Sequence, residues 1–307
     1  MSAKALVDCL YWIATNKCTL HCMHCSGVFG VGDHVEEQSI RKQIRLIKNS
    51  EITFNTLQVL GGEPLLAIQK KHIKQLRPYF KKIVLITNGT LLPKRKWVFK
   101  SFDEIHLSVY GTKLVDKSVK RMGSEHDAYW DEMLSLLAKK NNLFLMAAVM
   151  NFNLLEIPKL AKLSANAGKR LLLVRYLGKK YNPADWKVRG LLDKLKEFNV
   201  VFKNACFGPY YNEKLLCPAG VERLCYNNYF RGVTPCLFID KVLGEDLSLE
   251  TYKSALVWRK QVQLKAYADN SCADCKFLAE CGAGCMAQNL LHSKEPFCHA
   301  KAISEKE

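Results

Sequence analysis

The sequence of 307 residues contains no apolar run long enough to cross a membrane, and its first residues lack the basic and apolar regions of an export signal. A membrane-spanning helix needs about 20 predominantly apolar residues, so we expect no membrane insertion. No low-complexity tract or internal repeat is present, which argues against a repeat architecture. These absences predict a globular, cytoplasmic protein.

Acidic residues are scarce: 29 Asp and Glu stand against 46 Lys and Arg, a formal net charge of +17. Such an excess favours an acidic partner, either a peptide or a nucleic acid. However, the sequence has no compact basic tract and no ladder of aromatic and basic residues, which argues against nucleic acid. We therefore expect an acidic segment of a peptide or protein as the partner.

Cysteine is absent between Cys25 and Cys206, although the chain contains 13 cysteines. A disulfide framework is typical of small secreted proteins, whereas closely spaced cysteines in a chain without an export signal indicate metal ligands. The gap predicts two modules, residues 1–199 and residues 200–307. Nine cysteines fall in the second module, where we expect metal to supply stability that an ordinary core cannot.

Apolar strand segments alternate with segments of helical period over residues 1–180, at about thirty residues per unit, which predicts a parallel sheet. Six such units predict an α/β fold: a partial (β/α)6 TIM-type barrel, followed by a smaller cysteine-rich region. From about Val200 the helical periodicity weakens. In barrels of this kind the chemistry lies at the C-terminal ends of the strands. The predicted strands are Asp8–Thr15, Thr56–Leu60, Ile83–Thr87, Glu104–Val109, Leu143–Val149 and Arg170–Tyr176, and the predicted helices are Glu36–Lys48, Ala67–Tyr79, Lys94–Phe99, Ala128–Lys139, Leu155–Asn166 and Pro183–Glu197.

The first cysteine group, Cys18, Cys22 and Cys25, directly follows the first predicted strand. Three thiolates on one loop can bind three irons of a cubane and leave the fourth iron open to a small molecule. A structural zinc site needs four protein ligands, and His21 or His24 could complete one. Zinc is therefore the alternative for this loop.

The CxxxCxxC spacing resembles the radical SAM superfamily, whose members use a [4Fe–4S] cluster to cleave S-adenosylmethionine (SAM). Gly61, Gly62, Glu63 and Pro64 follow the second strand and are similar to the GGEP motif that binds the amino group of SAM. Glycines let the backbone approach a ligand, and Glu63 offers a negative charge to an ammonium group. The resemblance also assigns SAM contacts to Asn88 in the turn after strand three, Ser108 after strand four, and Tyr176, with Leu173 and Val174, on strand six; for the strand-six residues plain barrel core is the alternative.

The second cysteine group resembles a SPASM domain, which carries two auxiliary [4Fe–4S] clusters. The resemblance implies that a small cysteine-rich iron–sulfur domain with a β-hairpin follows the barrel; zinc is again the alternative. The predicted hairpin turn is 227–231. A thiol left over, together with Cys9, is expected either to pack in the core or to react, and Cys225 is a candidate hydrogen-atom donor to a substrate radical. The implied ligands are Cys272, Cys275, Cys281 and Cys298 for the distal cluster, and Cys217, Cys236 and Cys285 for the proximal one, completed by Cys206 or alternatively by Cys225.

The resemblance implies reductive cleavage of SAM to a 5′-deoxyadenosyl radical, hydrogen abstraction from a C–H bond, and removal of an electron through the auxiliary clusters. Relatives with this layout modify peptides by thioether or carbon–carbon cross-links, or oxidise a side chain on a protein. We therefore expect a peptide or protein substrate with an acidic leader, and flavodoxin or ferredoxin as electron donor. Because the first strand begins near residue 6, leader recognition is expected from a separate protein or from another surface.

Three other functions are open at this level. A sulfatase-maturing, formylglycine-generating enzyme would need an acidic residue as base, which the sequence does not identify. Oxidation or decarboxylation of a small molecule such as a porphyrin is the second alternative. A non-catalytic metal-binding scaffold is the third, and the intact cysteine and GGEP elements argue against it.

Overall fold

A computed structural model describes residues 5–25, 37–178, 180–203, 216–227, 232–269, 272, 274–276 and 278–292. Within these residues the strands join one nine-stranded sheet, and no helix among them combines the length and apolarity of a membrane span. The strands are β1 Ala5–Thr15, β2 Ile52–Gly61, β3 Lys82–Thr87, β4 Glu104–Ser108, β5 Leu143–Val149, β6 Leu171–Arg175, β7 Val200–Phe202, β8 Arg223–Asn227 and β9 Gly232–Thr234. The helices are α1 Glu37–Lys48, α2 Lys70–Leu76, α3 Val98–Ser101, α4 Lys113–Lys120, α5 Glu125–Lys139, α6 Ile157–Asn166, α7 Asp185–Leu195, α8 Leu249–Asp269, α9 Leu278–Cys281 and α10 Met286–His292.

The sheet order is β7-β6-β5-β4-β3-β2-β1-β8-β9, with every neighbouring pair parallel except β8 and β9. Strands β1 to β6 follow one another in sequence order, so the predicted α/β fold with a parallel barrel unit is confirmed. The β8–β9 hairpin extends the sheet by pairing β8 beside β1, which places Cys225 opposite Tyr11. The sheet therefore continues past residue 199, and the division at that point remains a prediction.

The two faces of the sheet have different partners because successive side chains on a strand point to opposite sides. On β1, Leu10, Trp12 and Ala14 pack in the large core under the helices. Cys9 and Tyr11 instead join a small cluster on the inner face. Burial of a large apolar side chain contributes about 1.5–3 kcal/mol. The packing of Leu10 and Trp12 against the helices therefore sets the orientation of β1, and with it the residues that point to the inner face.

The region after Val200 contains a long helix that the weakening periodicity did not predict. Helix α8 has 21 residues. It buries Ala255 and Trp258 but leaves Leu256 and Val257 exposed. Apolar residues therefore occupy more than one face, and the single apolar stripe that signals an amphipathic helix is missing.

Three further differences concern short elements. The sequence pattern did not predict α4 or β7, each of which has eight residues or fewer. The helix predicted at Ala67–Tyr79 is shorter in the structure: the span contains helix α2 and a 3-10 turn at Arg77–Tyr79, and another 3-10 turn at Pro64–Leu66 precedes it. Pro78 in this last turn has no N–H to donate and so interrupts the α-helical pattern.

Candidate active site

A cavity of about 730 Å³ opens at the C-terminal ends of the strands. Its wall includes residues of β3, β4, β5 and β6, so the sheet curves around it. Cavities of this size are typical of small-molecule sites. The lining side chains and backbone belong to Cys18, Cys22, His24, Cys25, Gly61, Gly62, Ile86, Thr87, Asn88, Ser108, Tyr110, Met146, Ala148, Val174, Arg175, Tyr176, Leu177, Gly178, Leu237, Phe238, Ile239 and Asp240.

All three cysteines of the first group line this cavity, on the loop that leaves β1. Asn88 fixes the start of the loop: its side-chain amide lies 3.5 Å from Cys18 Sγ and donates to Thr19 Oγ1 at 3.0 Å. The Met23 N–H donates to the Val119 carbonyl at 2.9 Å, which ties the loop to α4. Burial raises the pKa of the Cys22 thiol to about 12, so a bound cation is needed to make this thiol a thiolate at neutral pH.

The paired glycines lie against the cysteine loop. The Gly62 N–H donates to the Thr15 carbonyl at 2.8 Å. A Cβ at Gly62 would lie 2.2 Å from the Lys17 carbonyl oxygen, and a Cβ at Gly61 would lie 2.2 Å from the Thr15 carbonyl oxygen. Since backbone atoms cannot yield as a flexible side chain can, these positions need glycine, and both present bare backbone to the cavity.

Glu63 is fully buried and does not line the cavity. Its carboxylate accepts from the Thr87 hydroxyl at 2.8 and 2.9 Å, from the Asn88 N–H at 2.9 Å and from the Leu65 N–H at 3.0 Å. Burial raises its pKa to about 7, although these hydrogen bonds oppose the shift. The carboxylate thus joins the ends of β2 and β3, and the predicted ammonium contact would require it to leave these donors. Pro64 opens the adjoining 3-10 turn and also lies outside the cavity lining.

The other predicted SAM contacts divide between the two faces of the sheet. Asn88, Ser108, Val174 and Tyr176 line the cavity. Leu173 instead packs in the core under the helices, because it neighbours Val174 on the strand and points the opposite way.

An aromatic wall lines the cavity beside the cysteines. The centroid of the His24 ring lies 4.2 Å from that of Tyr110 and 6.5 Å from that of Tyr176. Burial lowers the pKa of His24 to about 4, so this ring is neutral at physiological pH. The sequence suggested His24 only as a zinc ligand and did not single out Tyr110. The signal that could have identified them is position: His24 lies between two predicted ligand cysteines, and Tyr110 lies two residues after the end of β4.

Asp240 is the acidic residue among those that line the cavity, and sequence reasoning did not select it. It is exposed and lies on the segment after Cys236. The signal that could have identified it is its closeness in sequence to a predicted cluster ligand.

A buried ion pair lies behind the cysteine loop. Asp116 and Lys120 are both fully buried, with the carboxylate and ammonium 3.0 Å apart. Asp116 also lies 3.1 Å from His126 Nε2, and Lys120 donates to the Tyr129 hydroxyl at 2.6 Å. The Tyr129 hydroxyl in turn donates to the Asn88 carbonyl at 2.8 Å. A chain of polar contacts thereby connects α4 to the turn that holds Cys18.

The second cysteine group brings Cys217, Cys236 and Cys285 together. A thiol hydrogen bond joins Cys217 to Cys285, and this contact, with the nearby Arg259 cation, holds the pKa of Cys217 below its usual range despite burial. Cys236 lies close enough to interact electrostatically with Cys217. Cys272 and Cys285 belong to one buried cluster, and Cys217 and Cys236 pack against it.

The remaining cysteines are placed only in part. Cys225 is fully buried, close to Cys236, and outside the cavity lining, which favours a packing or ligand role over hydrogen-atom donation into the cavity. Cys275 and Cys281 flank a short turn and helix, where the Cys275 N–H donates to the Cys272 carbonyl at 3.1 Å. Cys206, Cys298 and residues 228–231 of the predicted hairpin turn lie outside the described residues.

Within the described part of the chain, no three His, Cys, Asp or Glu side chains approach closely enough to hold a single metal ion. The ligand assignments therefore remain predictions. The residues fit the predicted groups in their chemistry: three thiols and two bare glycine backbones face one cavity, and the thiols of Cys217, Cys236 and Cys285 lie in one cluster with Arg259 beside Cys217.

Comparisons with known proteins gave matches of two kinds, and no family model matches the chain. Over 82 residues the chain is 35% identical to a probable GTP 3′,8-cyclase of Archaeoglobus fulgidus, and over 100 residues it is 31% identical to the GTP 3′,8-cyclase of Petrotoga mobilis. These alignments cover 26% and 31% of this chain. They cover only 27% and 31% of the relatives' own length.

Two solved structures share the fold over nearly the whole chain. The structure of SuiB from Streptococcus suis bound to S-adenosylmethionine is 16% identical, with a TM-score of 0.71 over 95% of this chain and 76% of that one. The structure of anSMEcpe with bound AdoMet and the Cp18Cys peptide is 17% identical, with a TM-score of 0.72 over 97% of this chain and 95% of that one. A further SuiB structure holds the precursor peptide SuiA. This chain therefore has the fold of these SAM-bound structures.

Proposed function

We propose that this chain is a radical SAM enzyme that modifies a peptide or protein. The observation that carries the proposal is the meeting of Cys18, Cys22 and Cys25 with Gly61 and Gly62 at one cavity, at the strand ends where such barrels place their chemistry. When bound, the cluster and SAM would supply a 5′-deoxyadenosyl radical able to take a hydrogen atom from a C–H bond. The shared fold with SAM-bound structures and the short matches to GTP 3′,8-cyclases support the same family.

The residues that line the cavity have different roles. The three thiols hold the cluster, and Asn88 fixes the loop that carries them through its contacts with Cys18 and Thr19. The bare backbone of Gly61 and Gly62 leaves room for the methionyl end of SAM.

The aromatic wall of His24, Tyr110 and Tyr176 suits a flat ring such as adenine, because aromatic faces stack favourably at these distances. The depressed pKa of His24 adds a specific advantage. A neutral imidazole does not repel the sulfonium cation of SAM, whereas a charged one would.

A peptide or protein substrate is supported by two lines. Structures of the same fold hold peptides, Cp18Cys in one case and SuiA in another. The net charge of +17 favours an acidic leader. We propose in addition two auxiliary clusters on the second cysteine group, a flavodoxin or ferredoxin as electron donor, and a separate protein for leader recognition.

Oxidation of a side chain on a protein, as in sulfatase maturation, is a specific form of this proposal that Asp240 favours. Such a reaction needs a carboxylate that removes a proton as the substrate radical is oxidised. Asp240 supplies one at the cavity.

Anaerobic reconstitution with iron and sulfide tests the proposal. We expect wild-type protein to bind more than about four irons per chain, and to form 5′-deoxyadenosine from SAM and dithionite. The matched control replaces Cys18, Cys22 and Cys25 with alanine, which should abolish 5′-deoxyadenosine but retain auxiliary iron. Fewer than about four irons and no 5′-deoxyadenosine in wild type would refute the proposal, and turnover of GTP in place of peptides would refute the substrate class.

A further inference from the structure

The second cysteine group lies beside buried positive charge. Arg259 on α8 is 6% exposed, and its Nη1 donates to the Cys217 carbonyl at 2.6 Å. Arg223 on β8 stacks over the Tyr11 ring, with the guanidinium carbon 4.5 Å from the ring centroid, and it interacts electrostatically with Cys236 and Cys217. Among the residues that the structure describes, neither arginine forms an ion pair with a carboxylate.

Behind the first cysteine loop the charge is arranged differently, although buried Arg175 also lines the cavity there. The buried cation of Lys120 is paired with the Asp116 carboxylate at 3.0 Å. The bond from the Met23 N–H to the Val119 carbonyl places this pair against the cysteine loop. The two charges cancel at a distance, whereas the charges of the two arginines do not.

Uncompensated positive charge near an iron–sulfur cluster favours its reduced form, because reduction adds a negative charge to the cluster. The effect is large where the surroundings exclude water and screening is weak. A cluster beside Arg259 therefore has a more positive reduction potential than the same cluster beside a neutralised lysine.

Resting on the proposed function, we propose that Arg259, assisted by Arg223, raises the reduction potential of the cluster on Cys217, Cys236 and Cys285 and so makes it the acceptor of the substrate electron. The substrate radical loses one electron to this cluster and one proton to a base, and the cluster gains that electron. A flavodoxin- or ferredoxin-type carrier in its oxidised form, acting here as acceptor and not as the donor to the first cluster, then takes up the electron and is reduced by it. The direction of oxidation is thus set by charge placement in the second half of the chain.

A redox titration followed by electron paramagnetic resonance tests the inference. The background is the full chain with Cys18, Cys22 and Cys25 replaced by alanine, so that only auxiliary clusters contribute to the signal. In this background we expect Arg259→Gln to shift one auxiliary signal to a more negative potential and to leave the other as an internal reference. Arg259→Lys keeps the charge and should stay near the parent potential. Lys260→Gln removes an exposed charge from the next position of α8 and is the matched control.

Each outcome of the titration either supports or overturns the inference. Equal potentials in the parent, Arg259→Gln and Arg223→Gln would overturn the inference, and so would equal shifts in Arg259→Gln and Arg259→Lys, since these would indicate geometry rather than charge. A shift as large in Lys260→Gln would also overturn it. If Arg259→Gln does not fold, Arg223→Gln carries the test alone. Absence of auxiliary clusters from wild type would overturn both this inference and the proposed clusters, whereas loaded clusters with unshifted potentials would overturn the inference only.

Discussion

Removal of the buried ammonium of Lys120 by Lys120→Met is expected to destabilise the protein strongly. The side chain is fully buried, paired with Asp116 at 3.0 Å and hydrogen-bonded to Tyr129 at 2.6 Å. Methionine fills much of the same volume but leaves the Asp116 carboxylate charged in a buried environment, where, among the described residues, His126 and the Tyr110 N–H still contact it. The loss therefore comes from an uncompensated charge rather than from a void.

Breaking a buried ion pair at one partner costs about 3–5 kcal/mol, and a single domain is stable by only about 5–15 kcal/mol. The double variant Asp116→Asn with Lys120→Met removes both charges and should recover a large part of the loss. The pair stabilises the fold at neutral pH. Burial raises the pKa of Asp116, but the opposite effect of Lys120 and His126 is larger, so the pKa lies below its usual range. The stabilisation by the ion pair is therefore lost as the pH falls through the pKa of the folded state.

Urea denaturation of the metal-free protein, followed by circular dichroism, measures these free energies. The matched control is Lys113→Met, on the same helix α4, because Lys113 is partly exposed and lies 3.5–3.6 Å from Asp131 and Asp127. Exposed pairs contribute about 0–1 kcal/mol. A loss below about 1 kcal/mol in Lys120→Met, or a double variant no more stable than the single one, would refute the reasoning.

Three further predictions concern residues in or beside the cavity. Gly62→Ala should lower iron content after reconstitution, because its Cβ would lie 2.2 Å from a backbone oxygen, whereas Gly190→Ala, with nothing within 4 Å, should leave it unchanged; equal iron contents would contradict this. Glu63→Gln should remove a pH dependence of stability, because burial raises the pKa of Glu63 to about 7. As the pH rises from 4.5 to 7, the free energy of unfolding of the metal-free wild type should fall relative to that of the variant. Urea midpoints that change in parallel with pH in the two proteins would contradict this. Asp240→Asn should lower product formation by about 100-fold but preserve 5′-deoxyadenosine formation, and equal losses of both would exclude a role for Asp240 as base.

The strands of the barrel could be predicted because apolar runs recur at a regular spacing and each is bounded by polar residues. Motif positions at strand ends then located Cys18, Gly62 and Asn88 at a common edge, where the structure places them. The sequence could not show which side chains of a strand face the helices and which face the cavity. Leu173 and Val174 have similar side chains, and only the pairing of β6 decides that Leu173 faces the helices.

Long-range pairings were inaccessible for a different reason. Strand β8 pairs with β1, with Cys225 opposite Tyr11, although the two strands are about 200 residues apart in the sequence. No local sequence pattern encodes such a pairing. Glu63 illustrates the same limit, because its motif suggested a ligand contact, while the Thr87 hydroxyl and the Asn88 N–H, both from a distant part of the chain, donate to its carboxylate. Long-range partners of this kind are found only once the fold is known.

Several of the buried charged residues that the structure describes lie near cysteines. Transfer of an ion from water to the protein interior costs several kcal/mol unless partners compensate it, so burial of a charge without a function is disfavoured. Glu63 and Asp116 each hold a backbone segment that contacts the first cysteine loop, the one through Asn88 and the other through α4. Arg259 holds the Cys217 carbonyl in the second group. The difference between them is compensation: Asp116 is paired with Lys120 and the pKa of Glu63 is raised to about 7, whereas Arg259 has no carboxylate partner among the described residues. Bracing alone requires no such difference, whereas a direction for electron transfer does.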